Sequence, residues 1–311
     1  MSTRSRVFTP RRFRTITLVA LVFLVGIIIT GAAVRLTGSG LGCTDWPNCT
    51  EDQFVAPLEL NPMIEFVNRL ISGLVAIPVI IAAVGSVVMK PRRRDLMVPA
   101  LLVVVGVGIS AILGAIVVKQ HLAPPFVISH FLLAVGCTWA AMVLYRRAGR
   151  PPGRPVAIVP PTAVALSRAM FGLALAVLAT GTIVTGAGPH GGDELAERLA
   201  LDIGDTARVH GATVIAFLAL TLVTLWWLHR HGAPAQVDQH GRSLVVVILT
   251  QGAIGYAQYF TGVPAYLVLF HIAGAMAVFL TTLWFHLGLF TVPSDERPAA
   301  ERSSEVAAVA G

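Results

Sequence analysis

Ala265-Tyr-Leu-Val-Leu-Phe-His271-Ile-Ala-Gly-Ala-Met276 sets an imidazole about two turns inside an apolar helix. A weaker copy, Pro124-Pro-Phe-Val-Ile-Ser-His130-Phe-Leu-Leu-Ala-Val-Gly136, stands in the first half of the chain. The segments upstream agree: Gly114-Ala-Ile and Gly252-Ala-Ile precede these helices, and Thr30-Gly-Ala and Thr185-Gly-Ala close the first helix of each half. Such self-similarity indicates duplication. The unit reads as four helices whose buried histidine is placed to hold something flat and metal-centred.

Around this stretch the chain runs to 311 residues, 55% hydrophobic and 13% charged, a balance that excludes an ordinary soluble domain. Apolar runs of about 20 residues cross roughly 30 Å of hydrocarbon as helices, because in lipid every backbone polar group needs an internal partner. Eight runs qualify: Phe13 to Leu36, Pro62 to Met89, Leu96 to Val118, Pro125 to Tyr145, Ser167 to Ala187, Asp205 to Leu228, Ser243 to Tyr259 and Ala265 to Phe290. The expected fold is an all-α integral membrane protein, its eight transmembrane helices forming two pseudo-symmetric four-helix bundles in a parallel tandem repeat. Its expected divisions are a basic amino terminus (1–12), a first bundle (13–146) with a long loop (37–61), a Pro-rich linker (147–166), a second bundle (167–290) and a disordered tail (291–311). The apolar run behind the basic terminus is long enough to span and lacks a clean cleavage pattern, so it reads as a retained helix.

A net charge of +7 could suggest nucleic acid, but the basic residues occupy alternate loops, as the positive-inside rule requires. Arg4, Arg6, Arg11, Arg12 and Arg14 precede the first helix, Lys90 to Arg94 follow the second, Arg146, Arg147, Arg150 and Arg154 follow the fourth, and Arg230 and Arg242 flank the sixth connection. Those loops and both termini are expected in the cytoplasm. The loop with Asp45, Glu51, Asp52 and Glu59 and the loop with Asp193, Glu194, Glu197, Asp202 and Asp205 should face outward.

In that topology the second, fourth, sixth and eighth helices all run inward from the outer surface. His210, counted from Asp205, and His271, counted from Ala265, then lie roughly 8 Å below it at about 1.5 Å per residue. Two neutral imidazoles on facing helices can take the axial positions of a haem filling the bundle core. His130 has the same depth in the first half, but its partner position on the second helix is Asn68. The plainer reading of any one of these histidines is a hydrogen-bonded packing residue; registered depth and duplication favour ligation. His229, His231 and His240 read as a cytoplasmic loop, His286 as solvated or interfacial, and His121 and His190 as outer-loop residues.

Glu65 stands one turn above Asn68 on the second helix, where a carboxylate could manage protons or orient water beside a porphyrin. It could equally pair with Arg69 at i, i+4 and steady the helix start, and Arg69 could instead meet a propionate. Cys43 and Cys49 bracket Thr-Asp-Trp-Pro-Asn in the outer loop. Their spacing permits a disulfide in an oxidising compartment, as a staple or as a redox pair. Cys137, two turns below His130, reads as a small packing residue.

Arg35-Leu-Thr-Gly-Ser-Gly-Leu-Gly-Cys43-Thr-Asp-Trp-Pro-Asn-Cys49, then Ile64-Glu65-Phe-Val-Asn68-Arg69-Leu and the histidines of the fourth, sixth and eighth helices, resemble the haem A synthase family over nearly the whole chain. The resemblance implies two pseudo-symmetric bundles in a bacterial plasma membrane. It implies haem b ligated by His210 and His271 in the second bundle, and substrate haem O in the first, with His130 at a ligand position and Glu65 at that of an essential carboxylate. The implied reaction, that of an oxidoreductase acting on a porphyrin CH group, converts the methyl at position eight to a formyl. Haem O would come from its farnesyltransferase and the product would pass to cytochrome oxidase assembly factors. A homo-oligomer is compatible with this reading. This chain departs where the family's second helix carries a histidine and Asn68 stands instead. An amide is a poor iron ligand, so the expectation is five-coordinate iron on His130, or an open position near Asn68. The alternative is a b-type cytochrome subunit that only transfers electrons through His210 and His271. A transporter for a small apolar molecule fits less well, because the helices lack the inverted repeats and interruptions that many such proteins use.

Overall fold

A computed structural model describes residues 8–293. Arg4, Arg6 and the tail from 294 lie outside the described residues. The elements are α1 (Pro10–Leu36), α2 (Leu60–Val88), α3 (Arg94–Lys119), α4 (Pro124–Ala148), β1 (Val156–Ala157), α5 (Pro161–Ala187), α6 (Ile203–Arg230), α7 (Ala235–Phe260), α8 (Ala265–Gly288) and β2 (Phe290–Thr291). All eight helices are long and apolar enough to cross a membrane, and the chain is a multi-pass membrane protein. Local chemistry fixes several starts. Proline, which loses no needed bond in the first turn, opens α1, α4 and α5. The side chain of Asp202 caps α6 by accepting the N–H of Asp205 at 2.8 Å.

Three boundaries differ from the sequence reading. α7 begins at Ala235 rather than Ser243, because its first turns are polar and hydropathy marks lipid exposure rather than helix. Arg242 donates to Asp238 one turn earlier there, at 2.9 Å. α5 begins at Pro161 rather than Ser167. The chain leaves helix after Gly288, and Phe290–Thr291 pairs antiparallel with Val156–Ala157 of the Pro-rich segment. Thr30-Gly31-Ala32 also lies inside α1, which runs on to Leu36, whereas Thr185-Gly186-Ala187 does close α5.

α1 packs on α2 and α4, and α3 packs on the same two, so α2 and α4 stand across from each other. Among α5 to α8 the neighbours recur: α5 and α7 each pack on α6 and α8. Between the two groups, Ile28 of α1, Val135 of α4, Leu178 of α5 and Met276 and Phe279 of α8 share one buried cluster. At the disulfide end the groups are joined by Arg35 Nη2 donating to the Thr185 carbonyl at 2.8 Å and Gly40 N–H donating to Gly192 O at 2.8 Å. At the arginine-rich end Arg150 Nη2 donates to Leu287 O at 2.9 Å. Leu74, Ile77, Ile81, Leu101 and Ile112 point outward, where only lipid would leave such a surface without a partner.

Candidate functional site

Asn68, His130, His210 and His271 occupy one register on α2, α4, α6 and α8. Below Asn68 run the buried residues Val75, Val79 and Ala82; below His130 run Cys137, Ala141 and Leu144; below His210, Phe217, Thr221 and Thr224; below His271, Val278, Thr282 and Phe285. Positions 7, 11 and 14 residues apart share one helix face. Each of the four polar side chains therefore shares a face with the stripe that its helix buries in the core.

On α6 and α8 the two stripes bring the histidine rings together, with centroids 6.3 Å apart and planes at 77°. Two imidazoles coordinating one metal from opposite sides stand about 6 Å apart, given a metal–nitrogen bond of about 2 Å on each side. The observed spacing matches. Thr180 Oγ1 lies 3.1 Å from His210 Nδ1 and donates its own proton to the Ala176 carbonyl at 2.9 Å. Its lone pair therefore receives Nδ1–H, and Nε2 of His210 stays bare, the tautomer that metal ligation needs. Gln251 Nε2 lies 2.9 Å from His271 Nδ1 and donates to the His271 carbonyl at 2.7 Å, while Gln251 Oε1 is buried with no partner among the described residues. Each ring rests on a glycine of the preceding helix. A Cβ on Gly181 would meet His210 Cε1 at 3.2 Å, and one on Gly255 would meet His271 Cε1 at 2.9 Å. No cluster of three or more His, Cys, Asp or Glu able to hold a metal ion occurs among the described residues. A pair of axial nitrogens suits a planar macrocycle that brings its own equatorial donors.

On α2 and α4 the arrangement is related but asymmetric. His130 rests against Gly114, whose Cβ would meet its Cε1 at an ordinary 3.4 Å. Among the described residues, His130 Nδ1 and Asn68 Oδ1 are buried without hydrogen-bond partners. Asn68 and Thr30 line an open groove of about 340 Å³ between α1 and α2 whose other walls are apolar, among them Ala33, Val34, Met63 and Ile64.

Glu65 and Arg69 face the disulfide loop. Cys43 and Cys49 are bonded to each other. Glu65 Oε2 accepts the Cys43 N–H at 2.7 Å, and Oε1 accepts from Arg69 Nε at 3.1 Å and Nη2 at 2.5 Å. Arg69 also donates to the carbonyls of Asp45 at 2.7 Å, Asn48 at 3.0 Å and Cys43 at 3.3 Å. The i, i+4 pair is thus formed, and the guanidinium reads the loop backbone.

Other placements differ from the sequence reading. His229 lies in the last turn of α6 rather than in a loop, and His240 belongs to α7, where its Nε2 accepts from Trp284 Nε1 at 3.0 Å. His286 is half-buried, its Nδ1 2.6 Å from Ser167 Oγ. Thr180 and Gln251 were not legible from sequence, since their partners sit on other helices. A signal for the glycines did exist: Gly114 precedes His130 by the same interval as Gly255 precedes His271. The structural counterpart of Gly114 is therefore Gly255, not Gly252.

The profile of the COX15-CtaA family, described as cytochrome oxidase assembly protein, matches residues 14–62 and 59–191. Heme A synthase of Halalkalibacterium halodurans is 26% identical over 292 residues, spanning 88% of this chain and 94% of the relative. Two shorter matches are heme A synthase of Listeria welshimeri, 31% identical over 121 residues (38% of this chain, 39% of the relative), and heme A synthase of an Exiguobacterium species, 30% identical over 106 residues (34% and 35%).

Proposed function

Because the chain belongs to the COX15-CtaA family of cytochrome oxidase assembly proteins, we propose that it is a haem A synthase, an oxidoreductase that converts the position-eight methyl of haem O to a formyl. The observation that carries a haem-based reading is the 6.3 Å spacing of His210 and His271. Haem b held by these two rings would supply one-electron redox chemistry.

The chain's own residues supply the rest. Thr180 fixes the tautomer of His210. Gln251 holds His271 from the side, through the contact of its Nε2 with Nδ1 and the bond it donates to the His271 carbonyl. The stripes headed by Phe217 and Val278 close the core beneath the rings against water. In the first bundle His130 is the iron ligand for substrate haem O, facing Asn68. Glu65 is the carboxylate that exchanges protons at this end of the bundle. Its bonds to Arg69 and the Cys43 N–H orient it, and Arg69 serves this site by holding Glu65 and the loop.

We further read the two groups of helices as tandem copies in a bacterial plasma membrane, with cytoplasmic termini and the ligand positions toward the outer side. The partners implied by the reaction are the farnesyltransferase that makes haem O and the assembly factors that receive haem A. Reverse-phase analysis of pigments extracted from protein co-expressed with a haem O source tests this function. Haem b together with haems O and A is expected. Haem b alone would make the protein an electron-transfer cytochrome, and colourless protein would remove haem from the account.

A further inference from the structure

We propose that substrate haem in the first bundle keeps one iron coordination position open to a small neutral ligand, beneath the carboxamide of Asn68, while iron between His210 and His271 keeps none. The inference rests on the haem A synthase reading and adds to it a ligand site.

Register places Asn68 and His130 on the same inner space. Each stands seven residues above a member of one core cluster, Val75 for Asn68 and Cys137 for His130. His210 and His271 stand seven residues above Phe217 and Val278, which likewise share a cluster, and those two rings do meet. On this register a porphyrin in the first bundle would have an imidazole on one face and a carboxamide on the other. The carboxamide is shorter than imidazole, and its oxygen is a weak donor to iron. Its NH2 group offers two hydrogen-bond donors to whatever iron binds beneath it.

The surroundings say what that ligand is. Asn68 Oδ1 is buried without a partner among the described residues, and the groove between α1 and α2 that Asn68 lines is apolar apart from Thr30. An apolar wall penalises a bare anion, so neutral diatomics and water are favoured over cyanide or azide. His210 and His271 have hydrogen-bonding partners at Nδ1 in Thr180 and Gln251, whereas His130 Nδ1 has none among the described residues. One site is built as a closed bis-imidazole clamp and the other as a one-sided seat.

The test uses dithionite-reduced protein purified after co-expression with a haem O source, with carbon monoxide as probe and extracted haems quantified in parallel. Carbon monoxide should bind in proportion to haem O plus haem A and not to haem b. Asn68→His should abolish that binding while haem O and haem A remain bound. Asn68→Leu should keep it but release the ligand about five-fold faster, through loss of one hydrogen bond. Haem O or A present without carbon monoxide binding overturns the open position while leaving the synthase reading intact. Carbon monoxide binding that persists in His130→Ala protein containing only haem b also overturns it. Absence of both haem O and haem A overturns the synthase reading itself.

Discussion

The carboxylate of Glu65 accepts the backbone N–H of Cys43 at 2.7 Å, so the second helix is the post to which the disulfide loop is tied. Arg69 completes the tie through the carbonyls of Cys43, Asp45 and Asn48. Glu65→Ala would leave Arg69 largely buried and without its carboxylate, a change that costs about 3 kcal/mol in comparable pairs. The expected outcome is a loop open to proteolysis, normal haem b and no haem A. Glu65→Gln separates anchoring from proton handling. Glutamine can still accept the Cys43 N–H but turns its NH2 toward the Arg69 donors, so the loop should be cut more slowly than in Glu65→Ala, though faster than in the wild type, while haem A formation stops. Undiminished haem A from the glutamine variant would take proton exchange away from Glu65.

Cys43→Ser should be milder. The disulfide closes a short ring, with a sequence separation of 6, and removing so small a loop constraint costs about 2 kcal/mol in the chain-entropy account. Glu65 and Arg69 would still hold the loop. Partial synthase activity, with a lower midpoint in a denaturant titration of the micellar protein, is the expected result. Full inactivity of folded protein would instead make the cysteine pair a redox participant.

The membrane fold was legible because lipid demands long apolar helices, and each of the eight was found close to its apolar run. The missed first turns of α7 hold Asp238, Gln239, His240 and Arg242, residues that are helical but not apolar, so a reading tuned to hydrocarbon stops short of them. Candidate ligands were legible for a related reason: a histidine in an apolar stripe is costly without a purpose. What surrounds them was not. Thr180 reaches His210, and Gln251 reaches His271, across pairs of helices. Arg69 was open between a propionate and Glu65 until the folded loop brought three carbonyls within its reach.

His271→Ala should deplete haem b, since one axial nitrogen of the pair is lost, and His210→Ala should do the same. His130→Ala should keep haem b and lose the bound substrate haem. Pyridine haemochrome spectra, with the extracted pigments separated, read both outcomes. Normal haem b in His271→Ala would refute the ligand pair.

Gln251→Leu tests whether the clamp depends on its outer hydrogen bond. Outer-shell partners of ligating histidines typically contribute about 10–100-fold in metal affinity. Haem b should therefore transfer from the leucine variant to excess apomyoglobin more readily by about that factor. Equal retention by wild type and Gln251→Leu would reduce Gln251 to a packing residue.

Glycine supplies the sharpest contrast between the two halves. A methyl group on Gly255 would stand 2.9 Å from His271 Cε1, nearer than side-chain carbons normally approach, whereas one on Gly114 would stand 3.4 Å from His130 Cε1. At Gly255 the ring must shift, and a ring held by Gln251 on one side, and on the proposed function by haem iron on the other, would have little room to do so. At Gly114 the contact is ordinary van der Waals, and His130 Nδ1 holds no hydrogen bond among the described residues that a small rotation would break. Gly255→Ala should therefore disturb the haem b spectrum and lower its occupancy, while Gly114→Ala should leave substrate haem binding near wild type. Absorption spectra of the two purified variants decide the matter, because a glycine needed only for helix packing would give equal effects in both halves.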